Sequence, residues 1–223
     1  MTELRLITSE PEDGPFSAGT PLPRRLPAGR HGIPANLVVE HQRRRLLAAM
    51  AEMLAEHGYA NVTTTDVSEA ASVSTSTFYK HFGNLWDCAL AAYVSTADRL
   101  CEEIETACAA RDPRSEPLTA GIEAALAFFS AEPDAAQLLS TQAPLEASAI
   151  AAARRILISR LAAMLRRGRD PEEAGPQPPG LDERLIDATL AFVGARVSAG
   201  EAETLVTLGP ELAAILARPR QAA

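Results

Sequence analysis

Thr75, Ser76, Tyr79 and Lys80 combine two hydroxyls, a phenol and an ammonium within six residues, with no carboxylate among them. All four donate hydrogen bonds, and a face built from them suits the phosphates and base edges of a polyanion. Such a face needs a helix to present it. Phe78 and Phe82 recur at i, i+4 and supply the apolar stripe of a short helix on the opposite side. Just upstream, Thr63 and Asp66 stand at capping-box spacing and predict another helix start, with Val67, Ala70 and Ala71 on one face. The break at Ser72 to Ser74 then joins two short helices through a tight turn. A donor-rich second helix after such a turn is the pattern of a helix-turn-helix, whose recognition helix enters a DNA major groove.

Two longer helices must hold this pair. The first is predicted from Asn36 or Val39 to His57, closed by Gly58, with Leu46, Leu47, Met50, Met53 and Leu54 as its buried stripe. Arg43, Arg44 and Arg45 spread round that helix. A solvated surface is the plain reading for each arginine taken singly, while contact of one or two with phosphate is the sharper one. After Phe82, Asn84 and Asp87 repeat the capping-box spacing, and Cys88, Ala92, Tyr93 or Ser95, Leu100 and Ile104 keep a helical period to about Ala110.

Composition bounds the rest. With 223 residues, 47% hydrophobic and only 4% aromatic, the interior must be built mainly from Ala, Leu, Ile and Val, which favours helices over strands. There is no run of about 18 apolar residues and no signal-peptide pattern, so the expectation is a cytoplasmic protein with no membrane partner. Cys88, Cys101 and Cys108 are an odd set without CxxC spacing; free thiols are expected, with no disulfide framework, zinc site or cofactor. The net charge of -8 is unevenly spread. From Pro15 to Arg45 six arginines face one glutamate, a local charge of +5, whereas from Gly83 onward 13 arginines face 20 acids, or -7. This polarity would turn the N-terminal side toward a phosphate backbone and hold the bulk away.

Residues 1–35 are rich in Pro and Gly, lack an apolar period, and read as a disordered arm. Its Arg24, Arg25 and Arg30 could reach a minor groove. Beyond the long helix, further helices are expected from Pro117 or Leu118 to Ser130, over Ala135 to Leu139, from Pro144 through Leu165, over about Leu181 to Ala199, and over about Glu203 to Ala217. The stretch from Arg169 to Gly180 reads as a loop. Leu185, Ile186, Thr189, Phe192 and Val193 make an apolar band too broad for one neighbour, and self-association would bury it, with Leu212 and Ile215 on the last helix joining in.

The segment HGYANVTTTDVSEAASVSTSTFYKHF, followed by a capped long helix, resembles the TetR family of transcriptional regulators. The resemblance implies an all-α fold: a three-helix DNA-binding domain over 36–83, then a larger helical regulatory and dimerisation domain over 84–223. It implies that Thr64, Thr65, Ser74, Thr75, Ser76, Thr77, Tyr79, Lys80 and His81 meet DNA; Arg43 and Arg44, on the first helix, are the added phosphate candidates from their own position. Tyr79 and His81 match phosphate-facing positions, and Thr75 and Ser76 match positions nearer base edges. Dimerisation through the last two helices is implied too, as is a ligand pocket walled by Tyr93, Phe128, Phe129 and Leu145 that would take a small apolar or amphipathic effector. Three residues depart from the family pattern. Ser72 stands where a turn glycine is usual, Leu85 replaces a phosphate-binding Lys, and Thr75 sits at an often basic or glycine position.

The resulting expectation is a homodimeric repressor, not an enzyme, released from a palindromic operator by a small molecule. A regulator without a small ligand, acting as an activator or under a protein partner, stays open, as does a helical enzyme. Against the enzyme stand the absence of GxGxxG, P-loop, GxSxG and HExxH patterns and of any His beyond His81.

Overall fold

The structure, a computed structural model, describes residues 34–110, 116–140, 148–169 and 178–217. Arg24, Arg25, Arg30 and Leu145 lie outside these residues, as do most of the arm over 1–35 and the expected helix start at Pro144. Among the described residues all regular structure is helical: α1 Ala35–His57, α2 Thr64–Ala70, α3 Thr75–His81, α4 Leu85–Ala110, α5 Pro117–Ala131, α6 Pro133–Ser140, α7 Ser148–Gly168, α8 Leu181–Ser198 and α9 Gly209–Ala217. A 3-10 segment, Ala202–Leu208, precedes α9. The single last helix expected over Glu203 to Ala217 is therefore a 3-10 segment followed by a nine-residue α-helix, with Gly209-Pro210 at the junction.

Short-range chemistry sets the ends of the first four helices. Gly58, at φ 69°, returns its N–H to the Leu54 carbonyl and closes α1. At α2 the capping box forms: the Thr63 N–H donates to Asp66 Oδ2 at 2.9 Å and the Asp66 N–H to Thr63 Oγ1 at 3.3 Å. These bonds hold the Asp66 carboxyl below its ordinary value, with the Thr63 hydroxyl as the largest cause. Ser74 caps α3 by accepting the Thr77 N–H at 3.0 Å, and Asn84 caps α4 by accepting the Asp87 N–H at 3.0 Å. One face differs from expectation. Val67 and Ala71 are buried, but Ala70 is exposed and Ser68 takes the inward position, its hydroxyl donating to the Thr64 carbonyl at 2.7 Å.

Leu46, Met50, Val67, Phe78, Phe82 and Cys88 join one core that continues into the body through Leu100, Leu139, Leu157 and Val193. There α4 packs on α1, α5 and α7, while α6 lies against both α1 and α8. The α6–α8 crossing is close: a Cβ built on Gly194 would stand 2.5 Å from the Ser140 Cβ and nearer still to its Oγ. α7 and α8 are clasped by Arg154–Asp187 and by Arg169, whose Nη1 reaches Asp182 at 2.5 Å and whose Nε donates to the Leu216 carbonyl at 2.8 Å. Arg169 and Asp182 are both buried, so each charge depends on the other.

Two substitutions test this reading. Ser72 holds φ 50°, a left-handed backbone that costs a side-chain-bearing residue free energy. Ser72→Gly should stabilise the fold by about 0.5–1 kcal/mol in denaturant unfolding, since relief of that strain exceeds the added chain entropy. Gly194→Ala should cost about 1–3 kcal/mol by overpacking, and Ser140→Gly in the same chain should recover most of it. An unchanged unfolding midpoint for Gly194→Ala would rule out the close crossing.

Candidate nucleic-acid interface and effector cavity

On α3 the inward side is Phe78 and the outward side is Thr75, Ser76, Tyr79 and Lys80, all exposed, with Tyr79 at 57%. These four residues form one open, donor-rich face. Thr65 is exposed beside it at the start of α2, and Thr64 is half-buried. Two other residues from the same sequence motif are already engaged. Ser74 and Thr77 share a hydroxyl–hydroxyl bond of 2.9 Å within the α3 cap, so their first role is to build the helix end.

The arginines of α1 divide three ways. Arg43 lies over the Phe82 ring, 4.8 Å from its centroid, a cation–π contact that ties α1 to the end of α3. Arg44 is exposed. Arg45 donates to the carbonyl of Ser72 at 3.2 Å and so braces the turn between α2 and α3. His81 is half-buried, with Nε2 3.4 Å from Gln42 Oε1. Burial, then the Arg43 charge, hold its pKa below the ordinary histidine value. It is therefore mostly neutral at pH 7.5 and does not add a fixed cation to this face.

At the start of α4, Leu85 is half-buried and Trp86 is half-exposed, stacked on Tyr59 with ring centroids 5.7 Å apart and planes 8° from parallel. Leu85, which stands where a phosphate-binding Lys is usual, thus has an aromatic pair beside it.

The body holds a cavity of about 450 Å³, within the range of about 300–1,000 Å³ of small-molecule sites. It lies between α4 (Leu100, Ile104, Cys108), α5 (Gly121, Ile122, Ala125, Phe129), α7 (Leu161, Met164, Leu165), α8 (Ile186, Thr189, Leu190, Val193) and α9 (Leu212, Leu216). Its wall is almost wholly aliphatic, with the charged side chains Glu105 and Arg167 also on it. Of the pocket residues expected from sequence, Phe129 lines it. Tyr93 and Phe128 do not: Tyr93 is 1% exposed in the core, and Phe128 packs edge-on to Phe129 beneath the Arg99 guanidinium. Tyr93 lies two turns before the cavity-lining Leu100 along α4, and Phe128 lies on another face of α5 from Phe129.

The expected dimer band is also redistributed. Ile186 and Val193 are buried in the chain's own core, Thr189 and Leu212 line the cavity, and Leu185 is half-buried against the core. Phe192 and Ile215 remain exposed, at 42% and 55%. The band was too broad for one neighbour, but the cavity walls on α5, α7 and α9 supply the further neighbours. The aliphatic cavity residues themselves carry no sequence mark that separates them from core. Gly121, facing Cys108 Sγ and the Ile104 side chain, is the nearest to one.

A helix-turn-helix on a three-helix N-terminal domain, joined to an all-helical body with an apolar cavity, defines the fold class of helix-turn-helix DNA-binding proteins with a helical body. Residues 46–91 match the model of the bacterial regulatory proteins of the tetR family, which marks this stretch as a TetR-type DNA-binding domain. No curated protein sequence matches it. Among solved structures it is similar to the fatty acid degradation regulator FadR from Bacillus halodurans, at 22% identity and TM-score 0.63, over 79% of this chain and 94% of that one. It is similar as well to FadR from Bacillus subtilis in complex with stearoyl-CoA, at 23% identity and TM-score 0.61, over 78% and 97%. A third is PfmR from Thermus thermophilus, at 20% identity and TM-score 0.56, over 81% and 98%. At these identities the likeness is one of fold. No helix among the described residues is long and apolar enough to cross a membrane.

With Lys80 as the fixed cation of α3, Lys80→Ala should weaken all duplexes and reduce the slope of log affinity against log salt by about one unit. His81→Gln at pH 7.5 should leave that slope unchanged, and Ser76→Ala should alter preference at particular bases. The slopes are read from duplex titrations at several salt concentrations; a loss of slope for His81→Gln equal to that for Lys80→Ala would refute the assignment.

Proposed function

We propose that this protein is a homodimeric repressor, released from a palindromic operator when an aliphatic small molecule occupies the cavity between α4, α5, α7 and α8. The observation that carries the proposal is the cavity itself: about 450 Å³, aliphatic, and bounded by α4, whose other half packs on α1. The Bacillus subtilis FadR of the same fold was solved with stearoyl-CoA, which supports a long-chain compound as the class of effector.

The dimer face that the exposure pattern favours combines α7 with α8. α7 presents Ala152, Ile156, Ser159 and Ala163, with Ile156 61% exposed, and α8 presents Ala188, Phe192 and Ala195. Small residues round two large apolar ones let helices approach closely, and a second copy about a twofold axis would make a four-helix bundle. The twofold would set two α3 helices against half-sites one turn of DNA apart, about 34–36 Å.

Selection of bound sequences from a random duplex pool should enrich a palindrome, and light scattering should give a dimer that Phe192→Glu with Ile156→Glu converts to monomer. On the selected operator, a long-chain aliphatic compound such as tetradecanoate should lower affinity at least tenfold. Ala125→Phe, which fills the cavity, should keep operator binding and lose most of that response. An operator complex indifferent to every acyl chain length, in wild type and Ala125→Phe alike, sinks the effector half of the proposal.

A further inference from the structure

Two turns along α4 and α7 from the cavity, toward the DNA-binding domain, lies a set of buried donors that the fold itself does not use. Tyr93 is 1% exposed, yet its hydroxyl has no hydrogen-bond partner. The same holds for Arg154 Nε and Nη2 and for the buried hydroxyl of Tyr59. Tyr93 is within electrostatic reach of both Arg154 and Tyr59. Leaving such donors unpaired costs a folded chain about 1–3 kcal/mol each, more for a charged group, so native interiors rarely do it without a use.

The chemistry of the cluster is specific. Nη1 of Arg154 stands 2.5 Å from Asp187 Oδ1 in an ion pair. The Nε and Nη2 hydrogens point along the other edge of the guanidinium, in the parallel fork that receives the two oxygens of a carboxylate. The Tyr93 phenol, within electrostatic reach of the same guanidinium, is a third unpaired donor. Burial is also the main cause that raises the Tyr59 phenol to about 12 and the Tyr93 phenol further, so both remain protonated donors at neutral pH.

Position links the cluster to the cavity. α4 and α7 run in the same direction, as the Asp98–Arg160 pair at 2.5 Å shows a turn or so further along from Tyr93 and Arg154. Tyr93 and Leu100, like Arg154 and Leu161, are seven residues apart, about 10 Å along one helix face, and Leu100 and Leu161 begin the cavity wall. We propose that Arg154 and Tyr93 form a carboxylate subsite and that the effector is a long-chain aliphatic carboxylic acid whose chain runs down the α4–α7 seam into the cavity. This rests on the reading of the cavity as the effector site. It also places the acid head beside Tyr59, which stacks on Trp86 at the junction with the DNA-binding domain.

Trp86 is the chain's one tryptophan and reports on that junction. The test titrates the full chain with tetradecanoate and with its methyl ester, following Trp86 fluorescence and, separately, calorimetry. Wild type should bind the acid at least tenfold more tightly than the ester. Arg154→Lys keeps a cation for Asp187 but removes the fork, and should bring the acid to the level of the ester; Tyr93→Phe should weaken the acid several-fold and leave the ester unchanged. Equal binding of acid and ester by wild type, with Ala125→Phe abolishing both, overturns the carboxylate subsite while the cavity reading stands. An acid-to-ester ratio unchanged in Arg154→Lys and Tyr93→Phe overturns it as well. Absence of binding by both probes overturns the subsite and the cavity reading together.

Discussion

The reading face depends on the burial of Phe78. α2 and α3 are seven residues each, far below the length at which a helix holds itself together in water. Their caps satisfy the first N–H groups, but what fixes the orientation of α3 is an apolar stripe driven into the core that α1 and α4 share. Phe78 is fully buried and Phe82 nearly so, their ring centroids 5.6 Å apart. Arg43 over Phe82, Gln42 beside His81 and Arg45 on the Ser72 carbonyl then fasten the pair to α1 from outside. Residues that could have served as phosphate-facing cations are thus spent on positioning. What α3 leaves facing outward is hydroxyls, a phenol and one ammonium, with Arg44 exposed on α1.

That allocation shapes how such a domain can select DNA. A face of hydroxyls gains little from counterion release compared with a face of arginines, so it discriminates more by hydrogen-bond geometry and water than by charge. The acidic body works in the same direction. With -7 beyond Gly83, nonspecific attraction is held down, and the affinity that remains must come from fit.

The parts of this molecule legible from sequence are those governed by contacts three or four residues apart. The capping box at Thr63, the side-chain cap at Asn84 and the Gly58 closure all follow from residues that act on their own local backbone, and all are present. The misjudged residues are those whose role is set by distant neighbours. Ala70 and Ser68 differ by a small rotation of α2 that no local rule fixes, and burial goes to the serine because its hydroxyl can pair with the Thr64 carbonyl. Ile186 and Val193 looked free for a partner subunit because α8 is apolar on more than one face. Which face turns inward was decided by the Arg154 and Arg169 clasps from α7 and by the Gly194 contact with α6. A cavity wall of Leu and Ile is indistinguishable in sequence from a core of Leu and Ile; the difference is a gap between helices, which no single residue encodes.

The same long-range contacts define how the cavity can speak to the reading helices. Both α4 and α8 line it, through Leu100 and Ile104 on one side and Ile186 and Val193 on the other. From α4 the path to α1 is direct, since Cys88 lies against the Leu46 carbonyl in the common core. From α8 it passes through the Gly194–Ser140 crossing to α6, which itself packs on α1. Anything that separates α4 from α8 therefore loads α1 at two places, and the Ser140 contact has no slack to absorb the shift. α3 hangs from α1 by Phe82 and the turn carbonyl of Ser72, so a small rotation of α1 is transferred to the reading face as a whole. Under the proposed repressor reading, an occupant of the cavity would act on the reading helices only to the extent that it binds one arrangement of these helices better than the other.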